Sequence, residues 1–145
     1  MDFSTSMKIS ASGLSAQRQR METISSNLAN SETTRTPEGG PYRKKNVVVS
    51  SVPLSDNFTA HLNDEMKDQV QEVVVTQVVE DQSTPRMIYN PDHPDANEEG
   101  YVAMPNINMI HEMVDLINTT RSFEANIQAI NTAKSMALRA IELGR

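Results

Sequence analysis

Residues 106–143 read NINMIHEMVDLINTTRSFEANIQAINTAKSMALRAIEL and form the longest periodic stretch of the 145-residue chain. Positions within this stretch step alternately by four and three residues, and most of them are apolar. The series is Met109, Met113, Leu116, Thr120, Phe123, Ile127, Ile130, Lys134, Ala137 and Ile141. Such spacing is typical of a helix that packs along one face in a coiled coil. Because Gly144 follows the last periodic residue, the sequence predicts one long helix that ends at residue 143.

The beginning of this helix has a wider apolar face than the remainder. Ile110, Val114 and Ile117 lie beside the periodic series and extend it around the helix. A wide apolar arc needs more than one surface to cover it. The sequence therefore predicts that the first turns of the C-terminal helix contact two partners.

A second helical pattern covers residues 3–30, at the other end of the chain. Four of its apolar residues are spaced by seven, namely Met7, Leu14, Met21 and Leu28. Phe3 and Ile24 stand at complementary positions, but the two other complementary positions hold Ser10 and Gln17. Because one edge of the stripe is polar and an isolated helix gains little from propensity alone, we expect this helix to be marginally stable until neighbours cover it.

The region between the helices, residues 35–105, is rich in turns and in β-branched residues. A Pro/Gly-rich turn at residues 37–41 ends the first helical pattern. Residues 54–69 are polar and mixed, and the sequence assigns no element to them. Runs of β-branched and aromatic residues predict short antiparallel strands at 46–52, 70–80, 86–89 and 101–104.

The predicted fold class is therefore α+β and mainly α. Long N- and C-terminal helices pack together as a coiled coil, and a small antiparallel β insert separates them in sequence. Residues 1–34 and 106–145 form the helical domain, and residues 35–105 form a small region of hairpins and turns, which the family resemblance described below implies is the outer region.

The composition excludes several classes of protein. A net charge of −6 and a single short basic cluster, Arg43-Lys44-Lys45, argue against nucleic-acid binding, which requires clustered cations. The absence of Cys excludes disulfides, thiolate metal sites and a cysteine nucleophile. No run of about 18 apolar residues is present, so we expect no transmembrane segment. The N-terminus lacks the basic and apolar regions of a Sec-type signal peptide, so any export is expected to leave it uncleaved.

The segment YNPDHPDANEEGY, residues 89–101, is the densest group of potential ligands. Residues 95–100 resemble the first half of a calcium loop, but Asn106 stands where the bidentate Glu is required. A turn fixed by prolines is the favoured interpretation, and a calcium site is the weaker alternative. His111-Glu112 lacks the second His of a zinc protease. We expect no enzymatic activity, no metal, no cofactor and no small-molecule substrate.

Two motifs resemble the family of bacterial flagellar basal-body rod proteins. The run SASGLSAQRQRMETISSNLANSETT, residues 10–34, resembles the opening motif of rod and hook proteins, with Gly13-Leu14 followed by Ser-Asn-Leu-Ala-Asn and a Thr-containing turn. Residues 89–144 resemble the C-terminal part of the proximal-rod members, which often have Tyr where Phe123 stands. The matching pieces are Asp92–Ala96, Gly100–Val102, Pro105–Asn106, Glu112–Met113, Arg121–Asn126 and Ala133–Lys134.

This resemblance implies an axial structural protein of the bacterial flagellum and its basal body, required for motility. Its terminal helices are expected to line the export channel and to assemble with copies of the same chain and with other rod proteins, so that the rod transmits torque. The subunit is expected to leave the cell through the flagellar type III export apparatus, without a cleaved signal peptide, and to lie in the rod within the periplasmic space.

We assign subunit packing to the two helical stripes and to the Asn pair that ends the first of them, because Asn side chains can satisfy backbone groups at a helix end. These residues are Met7, Leu14, Met21, Ile24, Asn27, Leu28, Asn30, Met113, Leu116, Phe123, Ile127 and Ile130. The alternative is a soluble helical adaptor or chaperone of a secretion system, which would hold one client helix in the same stripes.

Overall fold

A computed structural model describes residues 3–53 and 71–144 of the chain. Helix α1 and helix α2 stand at the two ends, and four strands lie between them. The elements are α1 (Phe3–Ala29), β1 (Lys45–Pro53), β2 (Gln71–Glu80), β3 (Arg86–Tyr89), β4 (Tyr101–Met104) and α2 (Met109–Leu143). The prediction for residues 54–69 and for the first residue of the strand at 70–80 lies outside the described residues.

Helix α2 begins three residues later than the apolar pattern predicts, because an Asn caps it. Oδ1 of Asn108 accepts hydrogen bonds from the N–H groups of Ile110 (3.0 Å) and His111 (3.3 Å), which have no partner within the helix. At the other end, the Gly144 N–H donates to the carbonyls of Ala140 and Ile141. The predicted end of the helix at residue 143 is therefore confirmed.

The two terminal helices pack against each other in antiparallel orientation. Asn27 contacts Glu112, and the Thr120 hydroxyl, which donates to the Leu116 carbonyl, lies 3.7 Å from the sulfur of Met21. Further along, Gly13 lies so close to Asn126 that an added Cβ would come within 3.4 Å of its Nδ2 atom. The residue numbers on α2 increase as those of their partners on α1 decrease, so the two helices are antiparallel. The two terminal helices are therefore in contact, as predicted, whereas coiled-coil geometry stays a prediction.

The β insert consists of two separate antiparallel ribbons rather than one small sheet. Strands β1 and β2 pair from Lys45↔Glu80 to Pro53↔Gln71, with an irregularity at Val48/Val49. Strands β3 and β4 pair from Arg86↔Met104 to Tyr89↔Tyr101. The predicted short strands at 86–89 and 101–104 are confirmed residue by residue.

The β1–β2 ribbon lies against helix α1 with one of its two faces. The Val73 N–H donates to Oγ of Ser12 at 3.2 Å, and Val49 and Val73 line a small cleft with Ala16. Side chains alternate between the faces of a strand, so the opposite face points away from the helix. Its four exposed valines, here called the valine face, are Val48, Val52, Val74 and Val79.

The interior of the described part of the chain contains little apolar material. Its buried apolar residues are Ala16, Ile24, Val102 and Ile107. Three buried polar or charged residues, Asn27, Glu112 and Thr119, lie where the helices meet. The helices are therefore held together by a partly polar interface, and most of their apolar residues lie nearer the surface.

Candidate assembly surface and the junction behind it

Asn27, near the end of α1, is only 1% exposed, and its side chain makes four hydrogen bonds. Oδ1 accepts from the Lys45 N–H at 2.9 Å and from the Tyr42 hydroxyl at 3.1 Å. Nδ2 donates to the Lys45 carbonyl at 2.9 Å and to Oε2 of Glu112 at 3.3 Å. The amide thus satisfies both backbone groups of Lys45, as a neighbouring strand would, and ties the start of β1 to the end of α1.

Glu112, in the first turn of α2, is also 1% exposed and carries the buried charge of the junction. Its Oε1 lies 2.6 Å from the Lys44 ammonium, although the contact lacks the angular alignment of a hydrogen bond. The Lys44 side chain remains 28% exposed. Because a buried carboxylate without a cation is strongly unfavourable, Lys44 is required to keep Glu112 in place.

The junction lies at the edge of a polar groove of about 370 Å³ between α1, β1 and α2. Arg20 and Asp115 stand on its walls with amide and hydroxyl side chains. Within residues 3–53 and 71–144, no three His, Asp or Glu side chains are arranged to hold a metal ion. Neither described helix is long and apolar enough to cross a membrane.

The first turns of α2 carry an exposed apolar patch, which we call the α2 stripe. Its side chains are between 46% and 69% exposed. At 3.6 residues per turn they fall on a different side of the helix from Glu112 and Asn126, which contact α1. A contiguous exposed apolar patch of this kind marks an interaction site. The stripe consists of Met109, Ile110, Met113, Val114 and Ile117.

The face of α2 that turns toward α1 includes only part of the predicted periodic series. Its less exposed residues up to residue 130 are Glu112, Leu116, Thr119, Thr120, Phe123, Asn126 and Ile130. Leu116, Thr120, Phe123 and Ile130 are shared with the prediction and are half-buried. Met113 and Ile127 are 46% and 39% exposed. They are available for contacts outside the chain, because polar residues occupy the alternate positions facing α1.

The predicted residues on α1 are buried or half-buried. Ile24 and Asn27 are buried, and the others, Met7, Leu14, Met21, Leu28 and Asn30, are half-buried. Asn30 caps the helix end, since its Nδ2 donates to the Ser26 carbonyl at 2.9 Å. Contacts of these residues with other subunits stay a prediction.

Sequence reasoning missed Tyr42, Lys44 and Glu112 as members of the junction. Glu112 enters the sequence analysis only in the zinc motif and in the family resemblance. The signal that was available is its position four residues before Leu116, which places a charged residue on the face of the helix that carries Leu116. Such a residue is rarely buried without a partner, so a nearby cation was the expected companion.

The acidic segment 89–101 forms the turn that the prolines predict. Oδ1 of Asn97 accepts from the N–H groups of Glu99 (3.1 Å) and Tyr101 (2.8 Å). Oδ2 of Asp95 accepts from the Thr34 hydroxyl at 2.7 Å. Oxygens that a calcium loop would require are thus engaged in hydrogen bonds that shape the loop and join it to the turn after α1.

Two segments of the chain match families of flagellar proteins. Residues 7–35 match the family described as "Flagella basal body rod protein". Residues 98–143 match the family described as "Flagellar basal body rod FlgEFG protein C-terminal". These segments include most of α1 and all of α2, together with the junction residues Asn27 and Glu112.

Proteins named flagellar basal-body rod protein FlgC are similar to the chain over almost its full length. The protein from Bacillus subtilis is 44% identical, covering 97% of this chain and 97% of its own. The protein from Borreliella burgdorferi is 36% identical, covering 99% and 98%. The protein from Aquifex aeolicus is 38% identical, covering 98% and 97%. The chain therefore belongs to the FlgC family of flagellar basal-body rod proteins and is a structural rod subunit of the flagellar basal body.

Proposed function

We propose that this subunit builds the proximal part of the rod by assembling with copies of itself and with other rod proteins through its terminal helices. The observation that carries the proposal is the α2 stripe, an exposed apolar patch on one helix. Covering such a surface contributes about 25 cal/mol per Å² of apolar area. In the free chain the stripe is exposed to water, so this stabilisation is gained only when neighbouring subunits cover it.

The predicted packing residues divide into two groups under this proposal. Leu116, Phe123 and Ile130 shape α2 from its α1-facing side, and Met113 and Ile127 contact neighbours directly. The valine face of the β1–β2 ribbon offers a second apolar surface, away from α1. A subunit with two such surfaces can be covered on more than one side, as a tubular assembly requires.

Within the rod, we infer that the helix pair forms the inner layer that lines the export channel and that residues 35–105 form the outer region. The rod so built transmits torque and has no catalytic role. The subunit passes through the flagellar type III exporter without a cleaved signal peptide and reaches the periplasmic part of the basal body. The support is the resemblance of both chain ends to rod proteins, together with the antiparallel pairing of α1 and α2.

Replacing Ile117 by Asp tests the proposal in cells that carry this chain as their sole copy. Ile117 is 52% exposed, so the substitution leaves the free subunit folded but places a charge in the stripe. We expect loss of swimming and basal bodies without a complete rod, while the subunit is still exported. Electron microscopy of detergent-extracted basal bodies and immunoblots of the exported fraction measure both.

The matched control is Met87→Asp, which places the same charge on an apolar residue that is 53% exposed on β3. This variant is expected to swim. Complete rods with Ile117→Asp would contradict the role of the stripe. Subunits that stay soluble and never co-purify with basal bodies would instead support the adaptor alternative.

A further inference from the structure

The Asn27 side chain makes the hydrogen bonds to the Lys45 backbone that a neighbouring strand would otherwise make. The Lys44 carbonyl accepts from the Asp81 N–H at 2.8 Å, beside β2. In an antiparallel ladder the next residue turns its N–H and C=O to the other side. These groups of Lys45 meet the Asn27 amide, which donates to one and accepts from the other. Helix α1 thus supplies the first rung on the free edge of β1.

The same amide also reaches helix α2. Nδ2 of Asn27 donates to Glu112, and Glu112 is paired with Lys44, the residue before Lys45. The four residues Asn27, Glu112, Lys44 and Lys45 therefore close a ring, here called the junction ring, through the end of α1, the start of α2 and the start of β1. Each of the three elements is held to the other two.

We propose that the junction ring is a positioning device that fixes the orientation of the β1–β2 ribbon relative to the helix pair. The inference concerns the free subunit and does not depend on the α2 stripe as an assembly surface. In the ring, the hydrogen bonds of Asn27 set a direction as well as a distance, because the partners of a buried amide must match its donors and acceptors. Apolar contacts such as those of Val49 and Val73 with α1 lack this directionality.

An isosteric substitution in the ring distinguishes two hypotheses. If the ring only adds stability, the substitution lowers the free energy of unfolding but keeps the orientation of the ribbon; if the ring sets the orientation, the ribbon loses it. In Asn27→Asp, the Nδ2 donor is replaced by an oxygen that faces the Lys45 carbonyl and the Glu112 carboxylate. Both contacts become repulsive, while side-chain volume is kept. We expect the ribbon to lose its single orientation while α1 and α2 remain paired.

The absence of native Cys allows this orientation to be measured directly. Gln77→Cys on β2 and Ser135→Cys on α2, both exposed, carry spin labels whose separation is measured by pulsed electron paramagnetic resonance in the full chain. The doubly labelled parent is expected to give one narrow distance. Adding Asn27→Asp is expected to abolish that single distance and to give a broad distribution.

The control for lost stability is Ile24→Val, which removes one methyl group from a buried residue on the same helix. It lowers the melting temperature but is expected to keep the narrow distance. A rescue variant combines Asn27→Asp with Glu112→Gln, which moves the carboxylate from α2 to α1 and lets the new amide donate back to it. The repulsion between the introduced carboxylate on α1 and the Lys45 carbonyl remains, so we expect this pair to narrow the distribution only in part.

Three results would overturn the proposal. The first is a narrow distance in Asn27→Asp, and the second is an equally broad distribution in Ile24→Val. The third is a broad distribution in the labelled parent itself, which would show that the ring does not hold the ribbon in the free subunit.

Discussion

Glu112 of the junction ring lies within a few residues of the α2 stripe on the same helix, yet the two reverse the usual distribution of side chains. Glu112 is charged and 1% exposed, whereas Ile110 is apolar and 69% exposed. In a self-contained domain, the apolar residue would be buried and the charged one exposed. We infer from this contrast that the subunit uses its interior to fix geometry and leaves much of its apolar surface for neighbours.

This division has a physical basis. A buried polar network contributes little net stability, but it tolerates few alternative arrangements. An apolar patch tolerates many arrangements and contributes in proportion to the area covered. A subunit that must present its surfaces at fixed angles therefore benefits from a polar junction inside and apolar patches outside.

The largest effect on stability is expected from Lys44→Met, which leaves the Glu112 carboxylate buried without its cation. Breaking a buried pair costs about 3–5 kcal/mol, and we expect about 3 kcal/mol because Lys44 is 28% exposed and water can partly replace it. Urea denaturation of the isolated chain measures the free energy of unfolding. The double variant Lys44→Met, Glu112→Leu should recover most of the loss. If it loses as much as the single variant, the ion pair is not the cause.

A smaller effect is expected from Phe123→Ala, which tests the α1-facing side of α2. Truncating a fully buried Phe to Ala lowers the free energy of unfolding by about 3–5 kcal/mol. Because Phe123 is half-buried, we expect a loss of about 2 kcal/mol. Thermal unfolding checks the value. Phe123→Leu, which keeps most of the apolar volume, should lose clearly less. An unchanged melting temperature in Phe123→Ala would mean that this residue packs only against other subunits.

A local effect is expected from Gly100→Ala, in a hairpin that belongs neither to the junction ring nor to the stripe. Gly100 has φ +82°, and an added Cβ would lie 2.9 Å from Cε2 of Tyr89. The left-handed backbone alone costs about 1–2 kcal/mol for a residue with a Cβ. Hydrogen exchange should show faster opening of β3 and β4, with the Lys45 amide unchanged. Gly39→Ala, also at positive φ but with nothing within 4 Å of its added Cβ, separates backbone strain from the clash.

The sequence predicts most of the fold because most of it rests on local patterns. Apolar spacing identifies both helices, and β-branched runs identify β1 to β4 within a residue or so where the structure describes them. The beginning of α2 was missed by three residues because Asn108, and not an apolar residue, determines it. Apolar spacing, β-branched runs and helix caps each involve residues that are close in sequence, so they can be recognised from the sequence alone.

The junction ring could not be predicted in the same way. Asn27 and Glu112 are 85 positions apart, and nothing in their local sequence specifies that they meet. The apolar series does not distinguish the α1-facing residues of α2 from the exposed Met113 and Ile127, for a related reason. A search for apolar residues does not select Glu112, Thr119 and Asn126, although all three lie on the α1-facing side. A polar residue can lie there when it has a partner, or when the facing residue is small, as Gly13 is opposite Asn126.

The smallest effect on stability, and the most direct contrast with Phe123, is expected from Ile127→Asp. Ile127 is 39% exposed, so the substitution removes only part of a buried apolar side chain, and the free energy of unfolding should fall by about 1 kcal/mol. The expected consequence is failure of rod assembly and loss of swimming, with export retained, because a charge at a covered apolar contact must be desolvated without a partner. Gln128→Asp is the control, since it places the same charge on the adjacent exposed residue and removes no apolar group. If both variants stop assembly, the added charge and not the lost apolar contact is responsible. If Ile127→Asp swims normally, this part of α2 faces solvent in the rod, and the contacts with neighbours are confined to the stripe at its beginning.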